Sequence, residues 1–197
     1  IQPKVDRKDL DGVNMPWSVS GVTRSGAEQV RQHEGRTIYG GTPADASVIE
    51  AIQRMRSDGI SIMFYPFILM DQVAGNTLQD PWSGRDEQPV LPWRGRITLS
   101  VAPGRVGSPD GSATAQNEVA DFFGSASPAD FEIAAGQLVY AGPQEWSLRR
   151  FILHYARLCK LAGGVDAFCI GSELVALTQI RGADNSFPVV TALRALA

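Results

Sequence analysis

The first strong pattern lies between residues 43 and 58, where apolar side chains recur with the spacing of a helix that buries one face. Thr42 followed by Pro43 is typical of a helix start, because threonine can cap the helix and proline fits its first position. Gly59 follows, and glycine commonly ends a helix. The pattern therefore predicts a helix from Pro43 to Asp58 with apolar positions Val48, Ile49, Ile52 and Met55.

The run from Ile60 to Met70 is almost continuously apolar and rich in β-branched and aromatic residues. Such a run is typical of a strand buried on both faces of a parallel sheet. Pro66 interrupts it, and because proline cannot donate to the ladder we expect a bulge or a re-aimed Tyr65 there. The helix and this strand together predict one half of a βαβ unit.

The same order of helix and strand returns later in the chain. A second helix is predicted to open at Pro143 and to end at Gly163, and a short buried strand, Val165–Ile170, is predicted to follow. The apolar stripe of this helix keeps the helical period at Leu148, Ile152, Tyr155, Cys159 and Ala162.

Two weaker patterns extend this alternation. Ser186 is expected to cap a third helix that is still running at Ala197. Near the start, Trp17–Val22 reads as an earlier strand. Strands that alternate with amphipathic helices predict an α/β fold with a parallel sheet.

A stretch of about 70 residues, Gln72–Gly142, separates the second predicted strand from the second helix, whereas α/β connections usually have about 2–6 residues. Within it, Ala115–Phe123 predicts a short helix and Phe131–Tyr140 a small hairpin that turns near Gly136. Long excursions after a strand commonly build the ligand-facing surface of α/β folds. We therefore expect an inserted excursion that faces a ligand.

Composition narrows the possible partners. The 197 residues carry a net charge of −3 and a nearly balanced set of charged side chains, so no basic field for nucleic acid is expected. The longest apolar run is too short for a membrane span. His33 and His154 lie far apart without clustered ligands, and Tyr39-Gly40-Gly41 lacks a P-loop lysine, so the sequence predicts neither a metal site nor a cofactor.

Glu173 is the leading candidate for chemistry, because it directly follows a predicted strand in a Gly171-Ser172-Glu173 turn. At the carboxyl end of a barrel strand, such a carboxylate can act as a general acid/base. The alternative is a solvated residue that begins the next segment. The turn lacks the glycine spacing of a nucleophile elbow, which disfavours serine hydrolase chemistry.

Several residues are candidates for substrate binding. Asp71 follows the Ile60–Met70 run, where it could position a substrate hydroxyl, orient Glu173 or simply face water. Tyr65 is a further candidate, because Pro66 could aim its side chain toward the barrel mouth. The excursion also holds an aromatic and basic set suited to stacking on sugar rings and holding hydroxyls, namely Trp82, Trp93, Arg94 and Arg96. The alternative for these aromatic residues is that they anchor the excursion.

Five segments together carry a resemblance to a known family: WSVSGVTR at 17–24, YGGTPADAS at 39–47, FYPFILMD at 64–71, PWRGR at 92–96 and FCIGSEL at 168–174. They closely resemble the TIM-barrel-like domain of gene transfer agent and phage tail proteins. The resemblance runs through essentially the whole chain.

The resemblance implies a partial TIM (β/α) barrel of glycoside-hydrolase-like fold, in which residues 1–197 are an internal fragment of one domain and residues 72–142 an insertion. It places Glu173 where many retaining glycosidases carry their acid/base, and Ser172 where those enzymes carry an asparagine that contacts the sugar. Their second carboxylate comes from a later strand, which would lie beyond Ala197, and Asp71 does not match it.

The function implied by the resemblance is that of a baseplate or tail-tip component whose barrel binds or cleaves cell-envelope glycans. Its implied partners are other tail and baseplate proteins, and its location is the tail of a particle assembled in the bacterial cytoplasm. The alternative is a non-catalytic structural module of the tail tip. Because a partial barrel has exposed sheet edges, we also expect self-association.

Overall fold

A computed structural model describes residues 7–8, 14–15, 31–33, 36–38, 45–68, 70, 72 and 74–197. The predicted strand Trp17–Val22, the cap Thr42 and the candidate Asp71 lie outside these residues. The described residues divide between two compact units. Unit 1 contains those of Phe67–Gly124 and Gly171–Ala197, and unit 2 contains those of Val5–Pro66 and Ser125–Ile170.

Unit 2 opens with two short antiparallel pairs. Strand β1 (Arg7–Lys8) pairs with β2 (Asn14–Met15), and β3 (Arg31–His33) pairs with β4 (Arg36–Ile38). In the second pair Arg31 lies opposite Ile38 and His33 lies opposite Arg36.

Helix α1 (Asp45–Ser57) confirms the first predicted helix. Val48 and Ile52 are buried, while the arginines of its last turn face solvent. Gly59, at φ +71°, donates to the carbonyl of Arg56, and the next amide donates to that of Met55. These are the two hydrogen bonds of a Schellman ending, which requires the left-handed backbone that glycine adopts without strain.

The predicted strand from Ile60 to Met70 is wrong in length and in burial. Only β5 (Met63–Phe64) is a strand; it pairs in parallel with β8 (Ala167–Phe168). Met63 is 69% exposed while Ile62 is buried, so the run alternates between a covered and an open face.

Two local features keep this pairing short. The amide of Ile62 donates to the Asp166 side chain at 2.7 Å, and Pro66 has no amide hydrogen with which to continue the ladder. The later predicted strand, Val165–Ile170, is likewise shorter than expected, and Ala167 is exposed rather than buried.

Helix α3 (Leu148–Leu161) packs against α1 in unit 2. Every predicted position of its apolar stripe is buried, Ala162 just beyond its end included. It begins later than Pro143, where it was predicted to open, because the hydroxyl of Ser147 caps it by accepting a hydrogen bond from the amide of Arg150 at 3.1 Å.

The predicted hairpin is confirmed. Strand β6 (Phe131–Ala134) pairs antiparallel with β7 (Gln137–Tyr140). Ala135 and Gly136 make the turn at φ +50° and +76°, the signs that a two-residue type I′ turn requires.

Unit 1 is built mainly from helices and long loops. Helix α2 (Ala113–Phe123) confirms the predicted short helix, and α4 (Val175–Thr178) and α5 (Pro188–Leu196) follow Glu173. A 3₁₀ helix, Arg94–Arg96, packs beside α4. The core of the unit includes Leu99, Val119, Phe122, Leu177, Ile180 and Val189.

Helix α5 begins where a third helix was predicted, but the cap differs. Phe187 occupies the cap position without a side-chain hydrogen bond, so Ser186 is not the cap. Pro188 is the first helical residue, a position at which its missing amide hydrogen costs nothing.

The mixed helix and strand content of the prediction is confirmed, and the described residues form no closed barrel. Their parallel pairing is confined to β5 and β8. No helix in the described part of the chain is both long and apolar enough to span a bilayer.

Candidate functional site

Glu173 lies in the turn that precedes α4, with its backbone in the left-handed region at φ +50°. Residues other than glycine adopt this backbone region at a cost of about 1–2 kcal/mol. Such backbone outliers cluster at functional sites, where the surrounding structure holds them in place. The geometry therefore supports Glu173 as the centre of the candidate site.

A hydrogen bond and an ion pair meet on one oxygen of Glu173. The indole Nε1 of Trp93 donates to Oε2 at 2.7 Å, and Nη2 of Arg94 lies 2.7 Å from the same oxygen. Hydrogen bonds to an ionised carboxylate are shorter and stronger than those between neutral groups. The structure thus joins three of the residues that the sequence singled out; with Phe67 we call them the Glu173 cluster.

Arg94 is held from two sides. Its guanidinium lies over the ring of Phe67, 4.6 Å from the centroid, and its side chain is only 16% exposed. The flat face of arginine stacks well on aromatic rings while its edge forms hydrogen bonds. Phe67 therefore fixes the plane of Arg94, and that plane directs Nη2 toward Glu173.

Trp93 is placed by its neighbour Gly95. A Cβ atom at Gly95 would lie 2.5 Å from Cη2 and Cζ2 of the indole, closer than carbon atoms can approach. The six-membered ring therefore packs directly on the glycine backbone. Trp93 nevertheless remains 52% exposed, so the rest of the indole faces solvent.

Glu173 also offers a free acceptor. Its side chain is 47% exposed, and no group among the described residues bonds to its second oxygen, Oε1. Beside it, the hydroxyl of Ser172 is buried and has no hydrogen-bond partner in the described part of the chain. The role of Ser172 toward a substrate stays a prediction.

Trp82 belongs to a second group in unit 1. Its Nε1 donates to the carbonyl of Arg96 at 2.9 Å, and the Arg96 guanidinium lies over its ring and forms an ion pair with Asp80 at 3.2 Å. These contacts tie Trp82 to the chain around it, which favours the anchoring alternative for this aromatic residue.

Asp80 was not predicted as a functional residue, although Asp-Pro sequences such as Asp80-Pro81 favour the start of a turn. Burial would raise its pKa, but hydrogen bonds from the Ser83 hydroxyl and the Trp82 amide, together with the Arg96 guanidinium, outweigh burial and lower the pKa below its ordinary value. Asp80 therefore stabilises the turn as an anion.

The other two candidates are not part of this cluster's described contacts. Tyr65 belongs to unit 2, where its side chain is exposed. Asp71 lies outside the described residues. Their roles in substrate binding stay predictions.

The cluster can accept hydrogen bonds and stack, but its described contacts contain a single carboxylate, Glu173. Glycoside hydrolysis uses two, about 5–5.5 Å apart for retention or about 6.5–9.5 Å for inversion. Within the described residues, no three His, Cys, Asp or Glu side chains come together to hold a metal ion.

Part of the chain is similar to a known protein family. Residues 146–197 match the GTA TIM-barrel-like domain. The resemblance inferred from the sequence motifs is thus confirmed for the stretch from α3 to α5. Glu173 lies inside the segment similar to the GTA TIM-barrel-like domain, whereas Trp93 and Arg94 precede it. No curated protein matches the chain.

Three residues that matter to the site were missed by sequence reasoning: Phe67, Gly95 and Asp80. Phe67 was counted only as part of an apolar strand. Gly95 carried a usable signal, because a glycine between two arginines and two positions after a tryptophan is a place where a close approach of the ring is possible.

Proposed function

We propose that the chain is part of a gene transfer agent particle and that its Glu173 cluster binds cell-envelope glycan. The family match over residues 146–197 supports the first part. The observation that carries the second is a half-exposed indole, Trp93, fixed beside a carboxylate with an open oxygen.

Sugar recognition needs both features of this pair. The C–H face of a pyranose ring is apolar and packs on an aromatic ring, and its hydroxyls donate to a carboxylate oxygen. Trp93 offers the aromatic surface, and Oε1 of Glu173 offers the acceptor. Arg94 and Gly95 hold both groups in place before any ligand arrives, which lowers the cost of ordering them on binding.

Binding fits this geometry better than cleavage. A general acid must carry a proton, whereas the ion pair with Arg94 uses the charged carboxylate of Glu173. We propose a glycan-binding rather than a glycan-cleaving surface, located on the tail of the particle among other tail and baseplate proteins.

The test is a binding measurement between the 197-residue chain and purified bacterial cell-wall sacculi, followed by sedimentation. Trp93→Ala is expected to weaken binding at least about tenfold, because burying a large aromatic side chain against a ligand is worth about 1.5–3 kcal/mol. The matched control is Val106→Ala, which shortens a fully exposed apolar side chain in the same unit. Equal binding by wild type and Trp93→Ala, or no binding by either, contradicts the proposal.

A structural module of the tail tip is the second candidate function. It is favoured by the two bonds that tie Trp93 and Arg94 to Glu173, since these also link distant parts of the chain. Under this alternative Glu173→Gln lowers the melting temperature of the protein but leaves its retention on sacculi unchanged. Release of reducing sugar ends from sacculi by wild type, absent in Glu173→Gln, would instead show catalysis.

A further inference from the structure

We propose that the Glu173 cluster selects uncharged sugar rings over acidic ones, and that Gly95 is the positioning residue that sets Trp93 for this selection. The inference rests on the proposed function and adds to it the chemical class of the ligand. It is carried by the contact of Trp93 with Gly95 and by the pairing of charges around Glu173.

The first step is the geometry of the indole. The Cη2, Cζ2 and Cζ3 atoms of Trp93 all lie within 2.6 Å of where a Cβ on Gly95 would be. The far end of the six-membered ring is therefore pressed on the glycine, while Nε1 at the other end is bonded to Glu173. Contacts at both ends fix the indole in one orientation and leave its remaining surface in solvent.

The second step is the charge available to a ligand. Arg94 is paired with Glu173 and stacked on Phe67, and Arg96 is paired with Asp80. Among the described residues around Trp93, neither cation is therefore left without a carboxylate. Because Nη2 of Arg94 lies against Oε2, an acidic group at the open oxygen Oε1 would be nearer to the carboxylate of Glu173 than to the guanidinium, so its repulsion would be only partly offset.

The third step is the hydrogen bond that remains. Ionised glutamate only accepts hydrogen bonds, and Oε1 has no donor among the described residues. A ring hydroxyl is a suitable donor, whereas a carboxylate or phosphate on the sugar is not. The site therefore fits neutral hexoses and N-acetylhexosamines, and it disfavours uronic acids and phosphorylated sugars.

The experiment compares neutral N-acetylhexosamine tetrasaccharides with uronic-acid tetrasaccharides by calorimetry at low and physiological salt. Wild type is expected to bind the neutral ligand at least about tenfold more tightly, with the difference shrinking as salt screens the repulsion. Glu173→Gln removes the charge but keeps a polar side chain, so it is expected to reduce that preference at least about fivefold. Equal or tighter binding of the acidic ligand by wild type overturns the inference.

The role of Gly95 has its own readout. Gly95→Ala is expected to move the indole N–H resonance of Trp93, assigned with Trp93→Phe, and to weaken neutral-sugar binding at least about tenfold with little change in melting temperature. Val106→Ala is the control, since it shortens a fully exposed side chain in the same unit. An unmoved resonance together with unchanged sugar affinity overturns the positioning role.

These readouts separate the two levels of the proposal. Wild type that binds no tetrasaccharide overturns the proposed function and the selectivity together. Wild type that binds both classes of sugar equally leaves glycan binding standing and overturns the selectivity alone. The Trp93 resonance in Gly95→Ala reports on the indole whether or not a sugar binds.

Discussion

The backbone of Glu173 predicts that replacement by glycine gives a more stable protein than replacement by alanine, the reverse of the usual order. At φ +50° an alanine retains the left-handed strain that a glycine relieves. Both Glu173→Ala and Glu173→Gly lose the ion pair with Arg94 and the hydrogen bond from Trp93. The difference between the two variants therefore isolates the backbone.

The magnitudes follow from these contacts. Loss of a partly exposed ion pair and one hydrogen bond costs about 1–2 kcal/mol in both variants. Left-handed strain destabilises the alanine variant by about 1–2 kcal/mol, whereas the greater entropy of the unfolded chain destabilises the glycine variant by about 0.5–1 kcal/mol. We expect Glu173→Gly to be more stable than Glu173→Ala by about 0.5–1 kcal/mol.

The assay is equilibrium urea unfolding followed by circular dichroism. Asn117 is the matched control, because it is exposed in the interior of α2 in the same unit. At that helical position the free energy of unfolding of Asn117→Ala should exceed that of Asn117→Gly by about 1 kcal/mol. If alanine is the more stable replacement at both positions, the left-handed conformation of Glu173 and the strain argument built on it are refuted.

Three further predictions concern groups outside the Glu173 cluster. The pKa of Asp80 is lowered from 3.8, so its contribution to the free energy of unfolding is complete above pH 3.8 and is lost as the pH falls toward the lower pKa of the folded state. Asp80→Asn should remove this acid dependence in urea titrations, and an unchanged pH profile contradicts the role of the Asp80 anion. Burial raises the pKa of Cys159 to about 11, so iodoacetamide should modify this thiol far more slowly at pH 8 in the native protein than in urea, and equal rates contradict its burial. His154 bonds to Asp45 at 3.0 Å in the interior of unit 2, so His154→Ala should lower the free energy of unfolding by about 2–4 kcal/mol, and a loss below about 1 kcal/mol argues against the buried pair.

The helices were predictable because their signals are local. In α1 the apolar spacing and Gly59 lie within the segment itself, and α2 and the hairpin turn at Gly136 carry equally local cues. Helix starts were less accurate, since α3 is capped by Ser147 rather than opening at Pro143, and α5 starts after Phe187, which makes no side-chain cap, although Ser186 is the better capping residue type.

The strands were harder to predict because burial of a strand depends on neighbours elsewhere in the chain. The apolar run at Ile60–Met70 resembles a fully buried strand, yet Met63 is exposed and β5 pairs with β8 across about a hundred residues of chain. The hydrophobicity of a segment indicates its tendency to be buried, but not whether other parts of the chain pack against it.

The candidate site was predictable as a set of residue types but not as a geometry. Glu173, Trp93 and Arg94 were each singled out, but nothing in the sequence joins Trp93 to Glu173, which lie 80 positions apart. The positive φ of Glu173 and the close approach of Trp93 to Gly95 depend on how the loops meet. These features are tertiary and lie beyond local sequence patterns.

The most direct measurement of the central claim follows the indole N–H resonances of the 197-residue chain during titration with a neutral N-acetylhexosamine tetrasaccharide. Glycan binding at the Glu173 cluster predicts a saturable shift of the Trp93 signal, while that of Trp82, bonded to the Arg96 carbonyl, stays in place. A sugar that binds without moving the Trp93 signal, or a titration in which neither signal moves, contradicts the account.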